Sequence, residues 1–264
     1  MRASDALGGA IDALRAAGCD TPDLDAQVLI ADAMGVDRGA LVADPEQPIA
    51  PAAARLVGER IRRRNQREPV AYILGRKGFR FVELAVDARV LIPRPETELL
   101  VELALALPDG AAVHDVGTGS GAAALALKSE RPGLRVSASD VSPDAVSVAR
   151  ANASRLGLDV EVTHEAGLPA GPYDLVMANL PYVTEAEYAR LEPEIRTFEP
   201  RGALVGGADG LDVIRALVDQ APAGTRLALE HGAEQGEAVR ELLAGAETHT
   251  DLAGHERVTT GDVP

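Results

Sequence analysis

Two hydrophobic periods divide the chain. Up to about residue 67, apolar residues recur every three or four positions; from Val113 onward, short apolar runs alternate with helical stretches. Ala3 to Ala17 carries Leu7, Ile11 and Leu14 at helical spacing and stops before Gly18. Thr21-Pro22-Asp23 predicts a capped start, with proline in the first turn, for a helix through Leu24, Val28 and Leu29 to Met34. A turn-rich piece, Asp44-Pro45 and Gln47-Pro48, precedes a helix from Pro51 to about Asn65. No catalytic motif falls in this region, which leaves it packing or partner contact.

Glu68 to Ile92 changes character. Tyr72 to Val86 reads as two β segments about a Gly75–Gly78 turn, a hairpin bridging two domains. In Ile92-Pro-Arg-Pro-Glu-Thr-Glu98 two prolines fix an extended entry to a helix from about Glu96 to Leu107, and acids in its first turn suit the dipole. An α/β alternation follows. One strand ends at Asp115 and leads into a helix at 121–129; a second, Arg135 to Ser139, ends at Asp140 and leads into a helix from Pro143 to Leu156. Further strands are expected at Val160 to Thr163, Tyr173 to Ala178, Arg226 to Glu230 and near Arg257 to Thr260. This predicts an α/β, Rossmann-like sheet with right-handed crossovers and helices on both faces. The strand ends at 115, 140 and 178 then meet at one cleft. The expected division is a helical domain at 1–67, a hairpin linker at 68–92 and an α/β domain at 93–264.

Composition narrows the possibilities. With 264 residues, 46% of them hydrophobic, the chain has material for a real core, and no segment is apolar long enough to span a bilayer. The first residues, with Asp5 and two glycines, lack the basic start and apolar run of a signal peptide, so a cytoplasmic protein acting as a monomer is expected. The single cysteine, Cys19, excludes an internal disulfide and a thiolate cluster. Histidines 114, 164, 231, 249 and 255 lack metal-ligand spacing, so no metal is expected. A net charge of −15 argues against a nucleic-acid grip over the whole surface. Between Arg55 and Arg94, however, 11 Lys/Arg stand against 4 Asp/Glu, densest from Arg60 to Arg67. This run is either a solvated helix end complementing the dipole or a docking surface for an acidic protein or RNA.

The candidate chemistry lies in two loops. In Asp115-Val-Gly-Thr-Gly-Ser-Gly121 a strand meets a glycine-rich turn and then a helix, the arrangement that lets backbone approach a ligand closely. Asp140, at the end of the next strand, suits a ribose diol, which implies an adenosine cofactor. Asp115 would repel a pyrophosphate but attract an ammonium, so a cationic amino-acid tail fits better than NAD. S-adenosyl-L-methionine, yielding S-adenosyl-L-homocysteine, answers that description. The second loop is Asn179-Leu-Pro-Tyr182. A planar nitrogen conjugated to a carbonyl or ring is a poor nucleophile, and accepting hydrogen bonds from both its N–H groups orients its lone pair. The Asn179 side-chain oxygen and the Leu180 carbonyl are the two acceptors, Pro181 stiffens the turn, and Tyr182 stacks on the planar group.

These two loops together resemble amino-methyltransferases acting on planar nitrogens. Further stretches resemble one branch, the HemK/PrmC-type peptide chain release factor glutamine N5-methyltransferases. They are Glu68–Gly75, Leu91-Ile-Pro-Arg-Pro-Glu-Thr-Glu98, Phe198-Glu-Pro-Arg201, Gly206-Gly-Ala-Asp-Gly-Leu211, Leu229-Glu-His-Gly232, Gln235–Val239 and Glu256-Arg-Val258. The resemblance implies a class I S-adenosylmethionine-dependent methyltransferase fold. It also implies methylation of the glutamine in the Gly-Gly-Gln motif of bacterial release factors. It carries cofactor binding onto Asp115, Gly117, Thr118, Gly119, Ser120, Gly121, Asp140 and Asn179, with Arg94 a further candidate, and substrate binding onto Asn179, Leu180, Pro181 and Tyr182. The N-terminal helices would contact the release factor, with the run at 60–67 as a docking surface. The family has a second proline where this chain has Leu180, a position at which only a carbonyl is needed. Leu180 also moves the motif toward ribosomal RNA adenine dimethyltransferases. The family's acid and bulky residue beside the adenine fall here on His164-Glu-Ala-Gly-Leu168, so Glu165 and Leu168 are assigned those places and weaker cofactor affinity is expected. Two other functions remain open: an N6-adenine methyltransferase on RNA or DNA, and a non-catalytic cofactor-binding module docking on translation factors.

Overall fold

The computed structural model describes residues 1–264 and resolves into two compact units. The first comprises Met1–Gly75 and Pro193–Phe198; the second comprises Arg76–Glu192 and Glu199–Pro264.

The first unit is helical: α1 (Ala3–Ala16), α2 (Pro22–Met34), α3 (Arg38–Ala43), α4 (Pro51–Asn65) and α5 (Val70–Leu74). Small residues of α1 (Ala3, Ala6, Ala10) pack with Leu14, Ile30, Leu41 and Val57, and Cys19 is buried among them as a packing residue. The expected helices form as read; α3 is additional, capped by Asp37, whose side chain accepts from the Gly39 amide at 2.6 Å.

Two expectations for this region fail. The arginine run is not a free, solvated cationic surface, because most of its charges are paired internally. Arg60 pairs with Asp32 (2.5 Å), Arg63 with Glu68 (2.5 Å), and Arg64 with both Asp25 (2.7 Å) and Glu194 (3.1 Å). Arg67 also binds Glu194. Arg62 is the exposed arginine of the run's centre. Apart from the neighbouring Glu68, the acids that neutralise it come from α2 and from a segment more than a hundred residues downstream, so local charge counting could not find them. The hairpin, too, is shifted. Val70–Leu74 is helical and Gly75 ends it in the left-handed region, with φ of 70°. The strands are β1 (Arg76–Phe79) and β2 (Val82–Ala85), turning at Arg80-Phe81, where Arg80 takes φ of 47°. Arg80 is held there by Glu130 at 2.5 Å.

The second unit continues through a 3₁₀ turn (Pro95–Thr97), α6 (Glu98–Leu105), β3 (Ala112–Val116), α7 (Ala122–Glu130), β4 (Arg135–Asp140), α8 (Pro143–Leu156), β5 (Glu161–His164) and β6 (Leu175–Ala178). Two short helices follow, α9 (Glu185–Tyr188) and α10 (Pro193–Phe198), the latter belonging to the first unit. The chain ends through α11 (Asp212–Gln220), β7 (Arg226–Glu230), α12 (Gly236–Arg240), β8 (Ala244–Thr250) and β9 (Glu256–Asp262).

Seven strands form one sheet in the order β5-β4-β3-β6-β7-β9-β8. The first five are mutually parallel, and β9 runs antiparallel to β7. Every residue of β3 and of β6 is buried, as central strands covered on both faces require. The sheet matches the expected α/β architecture. Edge strand β8 is the one the sequence reading lacked: its residues are mostly exposed and carry little hydrophobic alternation. The chain moves from β3 outward to β4 and β5, then returns to β6 on the other side of β3. The order therefore reverses between β3 and β6, where the loops at 117–121 and 179–182 emerge side by side.

Candidate active site

The glycine loop is shaped by its own backbone. The amides of Gly117 and Thr118 both donate to the Ser139 carbonyl, at 2.9 and 3.0 Å, which folds the loop back over β4. Gly117, Gly119 and Gly121 all have positive φ (72°, 57° and 87°), a region costly for residues with a Cβ. At Gly117 a Cβ would also meet Leu180 Cδ2 at 2.9 Å, so the two loops approach as closely as a missing side chain allows. Gly121 has a packing role: a Cβ there would meet Leu125 at 2.8 Å. Asn152, fully buried on α8, donates to the Ser120 carbonyl (2.9 Å) and pairs with the main chain of Ala85, tying the loop to β2. No sequence pattern marked Asn152.

Both loop acids are buried. Asp115 Oδ2 accepts from Thr118 Oγ1 at 2.6 Å, and burial pushes its carboxyl up to about 7 despite the Thr118 hydroxyl and the Ala124 amide. Asp140 accepts from the Gly119 amide and the Ser142 amide, both at 2.9 Å, and so pins the glycine loop to the end of β4.

A cavity of about 420 Å³ opens above this loop, lined by Pro93, Thr97, Asp115, Gly117–Ser120 and Ala122–Ala123 together with Leu91, Arg94 and Asn179. A second, of about 310 Å³, is lined by Leu180, Tyr182, Val183, Ala203 and Leu204 and again by Leu91, Arg94 and Asn179. Asn179 is the polar side chain of the reactive motif common to both. Its Nδ2 donates to Thr97 Oγ1 at 2.8 Å, and no donor in the fold engages its Oδ1. No main-chain hydrogen bond of the fold uses the Leu180 carbonyl. Tyr182 presents its ring to the second cavity, with its hydroxyl 3.5 Å from Glu230 Oε1.

The motif is braced from behind. The Val183 amide donates to Leu204 O and the Gly206 amide to Val183 O, each at 2.9 Å. Gln235 Nε2 donates to the carbonyls of Tyr182 and Asp209, at 3.0 Å each. A Cβ on Gly206 would stand 2.2 Å from Pro181 O, and one on Gly210 would stand 2.1 Å from Tyr182 O. The stretches at 206–211 and 235–239 are therefore the wall against which Pro181 and Tyr182 rest. Glu199 plays the same part for Ile92-Pro-Arg-Pro95: it accepts from the Ile92 amide at 3.0 Å and from Arg94 at 2.6 Å.

Arg94 thus lines both cavities with its guanidinium already engaged by Glu199 and by Ile92 O. Glu165 is exposed, and Leu168 packs against the core cluster that contains Val176, Leu217 and Leu227 rather than lining either cavity. Thr97 and Glu230 were not assigned to the site from sequence; the structure turns Glu230 inward, fully buried.

The donor set suits a cationic amino-acid cofactor: the buried Asp115 carboxyl beside a positive-φ glycine loop whose main chain lines the cavity. Sheet order, glycine loop and Asn-Leu-Pro-Tyr turn define a class I S-adenosylmethionine-dependent methyltransferase. The T. thermophilus 16S rRNA N2 G1207 methyltransferase, solved with AdoMet and guanosine, shares that fold (TM-score 0.50, 16% identity, 72% of this chain and 50% of that one). Residues 5–75 match the PrmC N-terminal domain and residues 95–193 the methyltransferase small domain. The chain belongs to the release factor glutamine methyltransferase family. It is 46% identical to the member from Pseudomonas aeruginosa over 259 residues (92% of this chain, 94% of the relative). To the member from Cereibacter sphaeroides it is 41% identical over 277 residues (100% and 99%).

Proposed function

We propose that this protein methylates the side-chain amide nitrogen of the glutamine in the Gly-Gly-Gln motif of peptide chain release factors. The observation that carries the reading is the meeting of two cavities at Asn179, one floored by the glycine loop and one walled by Leu180 and Tyr182. When bound, S-adenosyl-L-methionine supplies an electrophilic methyl group on a sulfonium and leaves as S-adenosyl-L-homocysteine.

Asp115 receives the ammonium of the cofactor's amino-acid tail, the main chain of Gly117–Gly121 lines the cofactor, and Asp140 takes the ribose hydroxyls. In the neighbouring cavity, Asn179 Oδ1 and the Leu180 carbonyl accept the two N–H groups of the glutamine amide. That pairing satisfies both donors and presents the amide nitrogen's face toward the cofactor cavity. Tyr182 covers the flat carboxamide, and Pro181 fixes the spacing of the acceptors. The nitrogen becomes cationic on methylation and sheds its proton to water, so no general base is required. The relatives named release factor glutamine methyltransferase support this choice of acceptor over a nucleobase. Recognition of the factor away from the reacting glutamine is assigned to the helical unit.

The test offers the purified protein and labelled S-adenosylmethionine a release factor, its Gly-Gly-Gln variant with Gln→Ala, or ribosomal RNA. Label on the wild-type factor alone is expected. Label on RNA would favour adenine methylation, and none anywhere would favour a non-catalytic module.

A further inference from the structure

The functional reading leaves Leu229-Glu-His-Gly232 unused, yet its histidine belongs to a chain of hydrogen bonds that reaches the reactive motif. His231 follows β7 and is fully buried. Its Nδ1 lies 2.9 Å from the Gly232 carbonyl oxygen, and its Nε2 lies 2.9 Å from Thr259 Oγ1 on β9. Thr259 Oγ1 is in turn 2.9 Å from Thr248 Oγ1 on β8, which accepts from Arg240 at 2.8 Å. On the other side, Gly232 holds Gln235 twice. Its carbonyl accepts from the Gln235 amide at 2.9 Å, and its amide donates to Gln235 Oε1 at 2.8 Å. Gln235 Nε2 is thereby turned to the carbonyls of Tyr182 and Asp209.

The two ends fix the direction of this chain. A carbonyl can only accept, so Nδ1 of His231 carries a hydrogen. Burial, with Arg240 and Arg257 nearby, lowers the His231 pKa against the opposing effects of Gly232 and Glu256, so at neutral pH the ring is uncharged and Nε2 accepts. Thr259 then gives its one hydrogen to Nε2, Thr248 gives its own to Thr259, and the guanidinium of Arg240, which only donates, serves Thr248. A ring with its hydrogen on Nε2 would instead set the Nδ1 lone pair against the Gly232 carbonyl.

Resting on the proposed glutamine-amide reading, we infer that His231 is a positioning residue: its Nδ1–H locks the turn at 232–235, so that Gln235 holds the Tyr182 carbonyl and with it the ring that covers the substrate carboxamide. Little slack exists at that oxygen. A Cβ on Gly210 would stand 2.1 Å from it and 2.5 Å from Gln235 Nε2, so Tyr182, Gly210 and Gln235 are packed as one unit. A turn that loosens at Gly232 moves Gln235, and the Tyr182 main chain follows.

The two ring nitrogens can be tested apart. Asn at 231 places a carboxamide nitrogen near the Nδ1 position and keeps the donor to Gly232; Gln reaches toward Thr259 and leaves Gly232 without that donor. His231→Gln should lower kcat/KM for the release factor roughly tenfold or more with cofactor Kd nearly unchanged. Gln235→Glu, which turns a carboxylate on two carbonyls, should do the same. His231→Asn should recover most of what His231→Gln loses. Independently of any acceptor, ¹⁵N spectra of the wild type at neutral pH should show His231 as the uncharged Nδ1–H tautomer. The Gln235 side-chain NH₂ signal, assigned with Gln235→Glu, should move in His231→Gln and stay in place in His231→Asn. An Nε2–H tautomer overturns the inference, as does an unmoved Gln235 signal in His231→Gln or equal activity of the Asn and Gln variants. A wild type that methylates no release factor overturns the functional reading instead, and the two spectroscopic readouts then decide this one alone.

Discussion

Asp115 and Glu230 sit on the two strands that flank β6, and burial raises both carboxyls to about 7. For an acid whose folded value exceeds its unfolded one, the folded state holds the proton longer. Stability is then unpenalised below the unfolded pKa and falls as pH rises from about 4.5 to about 7. Glu230→Gln should accordingly gain up to about 3 kcal/mol in urea titrations above pH 7 and nothing near pH 4. A gain independent of pH would show that folding does not shift the Glu230 carboxyl. Asp115 makes a separate prediction. Burial lets it keep a proton toward neutral pH, and an ammonium placed beside it favours the ionised form. Cofactor binding should release part of a proton, read as a calorimetric enthalpy that varies with the buffer's ionisation enthalpy. Asp115→Asn should abolish that variation.

The reactive motif depends on the elements behind it. Gly206 and Gly210 contact main-chain oxygens of Pro181 and Tyr182 that cannot move without shifting the motif. Gly210→Ala should reduce methyl transfer at least a hundredfold, because a shift of about 1 Å at a reacting group costs that much. Cofactor affinity, set by the loop after β3, should change little; equal losses in both would place the damage in the sheet. Among the helices, Arg64 is nearly inaccessible and joins Asp25 to Glu194. Removing one partner of a buried pair leaves an uncompensated charge, so Arg64→Ala should destabilise by about 3–5 kcal/mol in chemical denaturation. Arg62→Glu, on the exposed face of the same helix, should cost under about 0.5 kcal/mol. Comparable effects of the two would mean that the Arg64 pairs are solvated.

At the scale of the molecule, chain order and packing disagree in one place. Pro193–Phe198 lies between parts of the second unit in sequence yet packs in the first, held by Glu194 to Arg64 and Arg67. A fragment starting at Arg76 keeps every strand of the seven-stranded sheet but loses the partners of that segment. Hydrogen exchange at 193–198 should quicken at least tenfold in the fragment, while β3 and β6 stay protected. Unchanged protection at 193–198 would show that the second unit alone orders it.

Much of this protein was legible in the chain itself, because periodicity, caps and glycine turns act over a few residues. The helices at 3–16, 22–34 and 51–65, the parallel strands, and the two loops carrying Asp115 and Asn179 all followed from local pattern. Three features did not, two of them because they depend on residues distant in sequence. Cations at 60–67 read as surface charge until α2 and Glu194 supplied their counterions. Gly75 read as a hairpin turn, although it ends a helix. Glu230 had no direction that local pattern could give until β7 took its place beside β6 and turned it inward toward Tyr182. Sequence alone determined which functional groups the protein owns and which local shapes carry them. Tertiary structure decided which charges are cancelled and which way a carboxyl points, since both depend on what packs against a residue across the fold.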